Sequence, residues 1–340
     1  MHKGRVFNKL TGLPFRNIPV CDGRNITFTD EKGEYCLPGW EKSNVVSVQA
    51  LTENHSDWFC YTSGASGQYD FHITPVSGST VFSFIHTSDT EIDKRENVPW
   101  IPFAGQCADE TSAAFAVHTG DICRAAGLRR HKELMNRDTL GCPVRYVLGN
   151  HDTCEGDYGE QLYEQLYGPV WCFFDFGNVH FIVLSIWGGE FASGYTMKEQ
   201  LLWLDNDISV LAKDKPVVVL SHDRPPKDYT FHSKEKDYSV NLKKCNLIGW
   251  VFGHIHTNYH IIKEGITNIS TTCPDCGGID SSVAGIRSIK IENGKNISSS
   301  MIYNGAIEAA GDEALFSTKL SGNVEFCELQ QYNGDIIAPP

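Results

Sequence analysis

Apolar and polar positions follow two different patterns along the chain. Up to Val76 the apolar residues fall in short alternating runs, such as Val45-Val46-Ser47-Val48 and Tyr69-Asp70-Phe71-His72-Ile73. Turn clusters separate them, among them Cys21-Asp22-Gly23 and Asp30-Glu31-Lys32-Gly33. A period of two bounded by turn residues predicts strands, and no helical period competes with it. Thr74-Pro75-Val76-Ser77-Gly78-Ser79 forms a turn-rich joint. From Val81 onward, short apolar runs alternate with stretches of helical period. In Thr196 to Asp205, apolar residues recur at three- and four-residue spacing. Strands alternating with helices predict an α/β domain. Beyond Gly277 the chain turns Ser-, Gly- and Asn-rich, with strand-like pieces such as Ser288-Ile289-Lys290-Ile291. The expected division is an all-β accessory module over 1–76, an α/β domain over 77–276 and a small β-rich extension over 277–340, separable at the Pro75–Ser79 joint.

Five apolar runs in the middle segment end abruptly in metal-ligand residue types. Val81 to His86 leads into Asp89-Thr90-Glu91, and Ala114 to His118 into Gly120-Asp121. Val144 to Leu148 leads into Gly149-Asn150-His151-Asp152, Val217 to Leu220 into Ser221-His222-Asp223, and Leu247 to Phe252 into Gly253-His254-Ile255-His256. Such runs fit buried strands, and in open α/β sheets sites form beyond the carboxyl ends of the strands. Oxygen donors mixed with imidazole suit divalent first-row metals. Gly120, Gly149 and Gly253 precede ligand-type residues, where a side chain would crowd the turn. A lone Gly-Asp is usually only a turn; five coincident runs predict one metal cluster.

Charge and composition narrow the partners. A formal net charge of -13 argues against nucleic acid or an anionic membrane surface, both of which need a basic face. No apolar run approaches the ~20 residues of a membrane span. Twelve cysteines are scattered; pairing among Cys21, Cys36 and Cys60 is open, and Cys273-Pro274-Asp275-Cys276, with no second pair to complete a four-sulfur zinc site, reads as a loop disulfide or free thiols. The N-terminus has no apolar signal core, and an extracytoplasmic location after signal removal is the favoured expectation.

Gly120-Asp121, Gly149-Asn150-His151-Asp152, His222 and Gly253-His254-Ile255-His256 stand in the order and spacing of the calcineurin-like metallophosphoesterase superfamily, which the chain resembles from about Val81 to Thr272. Phe174 to Phe181 is similar to the strand pair that follows the family's Asn-His motif. The resemblance implies a four-layer α/β sandwich and a two-metal centre that hydrolyses a phosphate mono- or diester through a metal-bridging hydroxide. It implies that Asp121 bridges the ions, that Asn150, His222 and His254 hold one, and that Asp89 and His256 hold the other. It implies His151 as general acid or as stabiliser of charge on the phosphoryl group, oriented by Asp152. Arg124 is a weaker candidate for contacting phosphate. His118 and His180, inside apolar strands, read as core histidines. The first 75 residues, through Gly4-Arg5-Val6, Ile18 to Gly23 and Thr29 to Leu37, resemble carboxypeptidase-regulatory or transthyretin-like β-sandwich modules, an arrangement similar to multi-domain bacterial phosphoesterases.

One position departs from the family: Glu91 stands where the first motif has His. Its spacing from Asp89 lets it ligate, and an added carboxylate favours Mn²⁺ among Mn, Fe, Mg and Zn as the two divalent ions. His86 and Asp93 are weaker substitutes. The substrate expected is a small-molecule or glycan-linked phosphate ester. Two rivals stand beside this reading. One is a catalytically impaired metal-binding protein whose β-module binds glycan or cell-surface partners; the other is a metal-hydroxide hydrolase of non-phosphate esters.

Overall fold

The structure, a computed structural model, describes residues 1–62, 66–93, 98–123, 125–185, 189 and 191–303. Arg124 and residues 304–340 of the expected extension lie outside them.

All five runs form strands: Val81–Thr87, Ala113–His118, Val144–Tyr146, Pro216–Ser221 and Asn246–Phe252. They divide between two sheets. In the first, Ala113–His118 pairs in parallel with both Val144–Tyr146 and Val81–Thr87. In the second, Val179–Leu184, Pro216–Ser221, Asn246–Phe252 and Ile266–Ser270 run parallel in that order.

Strand alternation sends successive side chains to opposite faces, and each face finds its own core. Val218 and Leu220 join Phe84, Phe115, Val117, Phe174 and Phe181 in the core between the sheets. Val217 and Val219 instead join Leu201, Trp203 and Leu204 of the helix Met197–Ser209. On the first sheet, Ile85 and Ala116 likewise pack with Ile101 and Ala104 of the helix Trp100–Glu110. The sheets therefore face one another, and helices cover their outer faces. The inter-sheet core is organised by rings. Phe84 stacks on Phe115 and Phe174 on Phe181, each at 4.9 Å. The two stacks meet edge to face, Phe84 on Phe181 and Phe115 on Phe174, at 88° in both cases. That arrangement satisfies the ring quadrupoles.

The helix expected near Thr196 begins there. Thr196 Oγ1 accepts from Glu199 N–H and Glu199 Oε2 from Thr196 N–H, a reciprocal cap. The hairpin Cys172–Phe176/Val179–Leu184 sets Asp175 opposite His180. His180 is indeed buried and paired: Nδ1 lies 2.7 Å from Asp175 Oδ1 and Nε2 3.1 Å from Asp207 Oδ2.

The expected boundary at Gly277 is corrected. Gly285–Glu292 pairs antiparallel with Val81–Thr87, and Asn296–Tyr303 pairs with Gly285–Glu292, completing the first sheet. Without these strands Val81–Thr87 would be an unpaired edge.

The N-terminal segment forms two sheets with a core of Val6, Val20, Tyr35, Leu37, Val46, Val48, Phe71 and Ile73. Cys21, Cys36 and Cys60 carry no disulfide. These sheets are closely joined to the α/β domain. Trp58 is 2 % exposed, and the Arg145 guanidinium lies 3.8 Å from the centre of its ring while donating to Ala50 O. Trp171 Nε1 donates to Gly23 O at 2.8 Å, and Gln49 Oε1 accepts from Phe173 N–H at 2.8 Å. Detachment at the Pro75–Ser79 joint would uncover all of these groups.

Candidate metal centre

The site lies where the carboxyl ends of the two sheets meet. Strands of the first sheet lead into Asp89, Glu91, Asp121, Asn150 and His151, and strands of the second into His222, His254 and His256. Two overlapping donor groups form there: Asp121 with His222 and His254, and Asp121 with Glu91 and His151, the ligand atoms of each within 4.8 Å of one another. Asp121 belongs to both. Its Oδ2 lies 3.2 Å from His222 Nε2 and 3.8 Å from His151 Nε2. His254 Nδ1 is 3.1 Å from His222 Nε2. Asp89 Oδ1 lies 3.4 Å from His256 Nε2 and 4.0 Å from His222 Nε2. Glu91 Oε1 is 3.9 Å from His151 Nε2.

The glycines act by close approach. A Cβ on Gly149 would stand 2.0 Å from Asp121 N, one on Gly120 2.7 Å from His222 Nδ1, and one on Gly253 1.7 Å from Ser88 Oγ. Asp89, Glu91, Asp121, His254 and His256 all adopt positive φ, between 40° and 66°. Side chains other than glycine seldom adopt this region, and such strain gathers at functional sites. Backbone bonds hold it in place. Glu91 N–H donates to Asp121 O at 3.0 Å, and His254 N–H reaches both Asp89 oxygens at 3.1 Å.

A layer of neutral polar groups supports the loops. His86 Nε2 meets Thr119 Oγ1 at 2.7 Å, which takes His86 away from the ligand role considered for it. His118 Nε2 meets Thr90 Oγ1 at 2.9 Å, and its Nδ1 accepts from Gly120 N–H at 3.2 Å. His118 thus braces two ligand loops from within the core, a role that no spacing in the sequence signals.

Asp152 is a correction. Its carboxylate accepts from Gly149, Ile122 and Cys123 N–H at 2.8, 2.8 and 3.2 Å, and so clasps two loop backbones. It does not hold the His151 ring, whose Nδ1 is buried without a hydrogen-bond partner among the described residues.

The donors fit divalent cations. Asn150 Oδ1 is a buried acceptor with no partner among the described residues, a costly state that a cation would relieve. Carboxylate oxygens and imidazole nitrogens converge at short range, as a first-row metal requires. Among the protein groups alone, burial and then His222 oppose each other at Asp89, and burial prevails to raise its carboxyl. Burial works against charge on His222, but Asp121 and Asp89 outweigh it and bring the imidazole up to about 9.

Beside His222, Ser221 and Asp223 open onto a cleft of about 870 Å³. Leu184, Phe231 and Trp250 line it with Arg224 and Lys227. The sequence carries no motif for this cleft.

The profile of the calcineurin-like phosphoesterase family matches residues 82–258, and the chain belongs to that family. No curated protein matches it. Among solved structures, a dimetal phosphatase from Danio rerio is 15% identical, covering 66% of this chain and 99% of its own, with a TM-score of 0.43. A phosphopantetheinyl hydrolase from Mycobacterium tuberculosis is 14% identical, covering 58% and 92%, with a TM-score of 0.37. An archaeal phosphodiesterase is 11% identical, covering 65% and 99%, with a TM-score of 0.31. No helix among the described residues is long and apolar enough to cross a membrane.

Proposed function

We propose that the chain is a metal-dependent hydrolase of phosphate mono- or diesters. The observation that carries this reading is the sharing of Asp121 between two donor groups at the junction of the sheets. In this assignment Asp121 serves both of two divalent ions, Asn150, His222 and His254 hold one, and Asp89, Glu91 and His256 hold the other. Bound ions would supply an activated water and neutralise charge on the phosphoryl group.

The protein's own groups do the rest. His151, part-exposed with Nε2 facing the acidic cluster, delivers a proton to the departing oxygen. Asp152 fixes the loop that carries it. Leu184, Phe231 and Trp250 exclude water around the leaving group, while Arg224 and Lys227 offer positive charge to an anionic portion of a small-molecule or glycan-linked ester. Glu91 lies within ligand distance of Asp121, which favours a competent centre over a damaged one. Metal preference leans to Mn²⁺ on the strength of the added carboxylate. The N-terminal sheets are read as an accessory module.

The test is turnover of nitrophenyl phosphate and bis-nitrophenyl phosphate in Mn²⁺-supplemented buffer, with vanadate as competitor. Metal-dependent, vanadate-sensitive hydrolysis is expected. Metal-loaded protein that hydrolyses neither ester would overturn the reading.

A further inference from the structure

The Cys273-Pro274-Asp275-Cys276 motif has no part in the metal centre, yet the structure places it against that centre. The segment turns tightly: Gly277 N–H donates to Cys273 O at 3.1 Å, and Cys273 and Gly277 form an isolated bridge. Pro274 sets the backbone for the turn. Gly277 closes it at φ 75°, where a Cβ would stand 2.4 Å from Ser282 O. Cys276 N–H approaches Cys273 Sγ to 3.4 Å across the turn, which keeps the two cysteines close enough for a disulfide.

The two thiols differ in access. Cys273 is 2 % exposed, and its Sγ accepts from Asp275 N–H at 3.5 Å and Cys276 N–H at 3.4 Å. Cys276 is exposed and its thiol interacts directly with Cys273. One thiol therefore meets solvent while the other waits behind it, a division of labour suited to exchange. The segment after the turn touches a ligand loop. Ile279 N–H donates to His256 O at 3.0 Å, and a Cβ on Gly278 would stand 2.6 Å from the same oxygen.

We infer that Cys273 and Cys276 are a reversible dithiol–disulfide pair whose closure is felt at His256 through the Gly278–Ile279 backbone. The oxidant is a low-molecular-weight disulfide, RSSR. The Cys276 thiolate attacks one of its sulfurs; the Cys276–SR bond forms, the RS–SR bond breaks and one RS⁻ leaves. The Cys273 thiol then gives up its proton and attacks the Cys276 sulfur, expelling the second RS⁻. The protein thiols lose two electrons, RSSR gains them, and the two thiol protons end on two RSH. The pair itself does not depend on the phosphoesterase reading; only its effect at His256 rests on that reading.

The full chain is equilibrated with graded mixtures of oxidised and reduced glutathione, alkylated with iodoacetamide and analysed by peptide mass spectrometry. The peptide spanning 273–276 should lose two hydrogens and both alkylation sites, retain no glutathione, and recover with dithiothreitol. Cys273→Ser should trap glutathione on Cys276, whereas Cys276→Ser should leave Cys273 unmodified. Glutathione retained on wild-type Cys276 would overturn the pair. So would two alkylatable thiols under conditions that modify the exposed Cys36. Nitrophenyl phosphate turnover should fall as the closed fraction rises and return on reduction, with Cys276→Ser unresponsive. A closed disulfide with unaltered turnover would overturn the link to His256. A chain that hydrolyses nothing would overturn the phosphoesterase reading, and the mass readout would still decide the pair.

Discussion

The His151 N–H donates to Asp121 Oδ1 at 2.9 Å, so two ligand loops of the first sheet are joined at the carboxylate common to both donor groups. The same oxygen pair faces His222 from the second sheet. Charge and architecture meet in one residue.

Asp121→Asn separates those two roles. The amide oxygen still accepts the His151 N–H, so the fold should persist by circular dichroism. The lost charge weakens both ions together, and hydrolysis should disappear while metal content falls for both sites. Atomic emission on dialysed protein, run beside the turnover assay, checks this. Full activity with unchanged metal content would remove Asp121 from the centre.

For His151→Ala, turnover should fall by about 10²–10⁴-fold, the usual worth of a positioned proton donor. The loss should shrink for nitrophenol esters, whose leaving group needs little protonation. Metal content should hold. A drop in metal instead would make His151 a ligand, which its distance to Asp121 and Glu91 allows.

Glu91 is tested by metal titration of three proteins. Glu91→Ala should lower stoichiometry from two ions toward one. Glu91→His should move the activity optimum from Mn²⁺ toward Zn²⁺ or Fe, because imidazole suits softer ions than carboxylate. If neither stoichiometry nor activity responds to Glu91→Ala, the glutamate stands outside the site.

His180 makes stability depend on pH away from the metal centre. Burial opposes its charge, but hydrogen bonds to Asp175 and Asp207 prevail and raise its pKa to about 9. Below about pH 6.5 the imidazole is protonated in both folded and unfolded chains, and the stabilisation is fully present. It is lost as pH rises through about 9, an effect of roughly 3 kcal/mol. Urea unfolding of wild type and His180→Asn should show a stability difference that closes over this window. A constant difference would mean the pair is not charged.

The joint between the N-terminal sheets and the α/β domain should also be measurable. Trp58→Ala removes a buried ring from beneath Arg145 and should cost about 3–5 kcal/mol. Deleting residues 1–76 should lower the melting temperature further, because Arg145, Trp171 and Phe173 lose their partners at once. A truncated chain that melts as wild type would show the contacts to be incidental.

The ligand-bearing strands were legible because each apolar run breaks abruptly at a polar cluster, and a buried strand ending in solvent must do so. Gly120, Gly149 and Gly253 were legible for a related reason: their neighbours leave no room for a Cβ. Asn296–Tyr303 was not legible as part of the first sheet. Ser298, Ser299 and Ser300 make it polar, and its place depends on Gly285–Glu292 reaching back across the chain to Val81–Thr87. Local pattern cannot encode that return. The positive φ at Asp89, Asp121 and His254 is equally silent in the sequence, since only glycine advertises it. Asp152 misled for another reason: a carboxylate next to a histidine suggests a dyad, whereas this one spends its lone pairs on three amides.

The herringbone of Phe84, Phe115, Phe174 and Phe181 gives the centre an unusual dependence. Asp121 is anchored to one sheet and His222 to the other, and these rings set the distance between the sheets. The metal site is thus a caliper whose jaws are opened or closed from the dry interior. Trimming Phe115 should alter the spacing between the Asp121 and His222 donors without touching either, so variation in metal preference among such proteins should be sought in the aromatic core as well as at the donors.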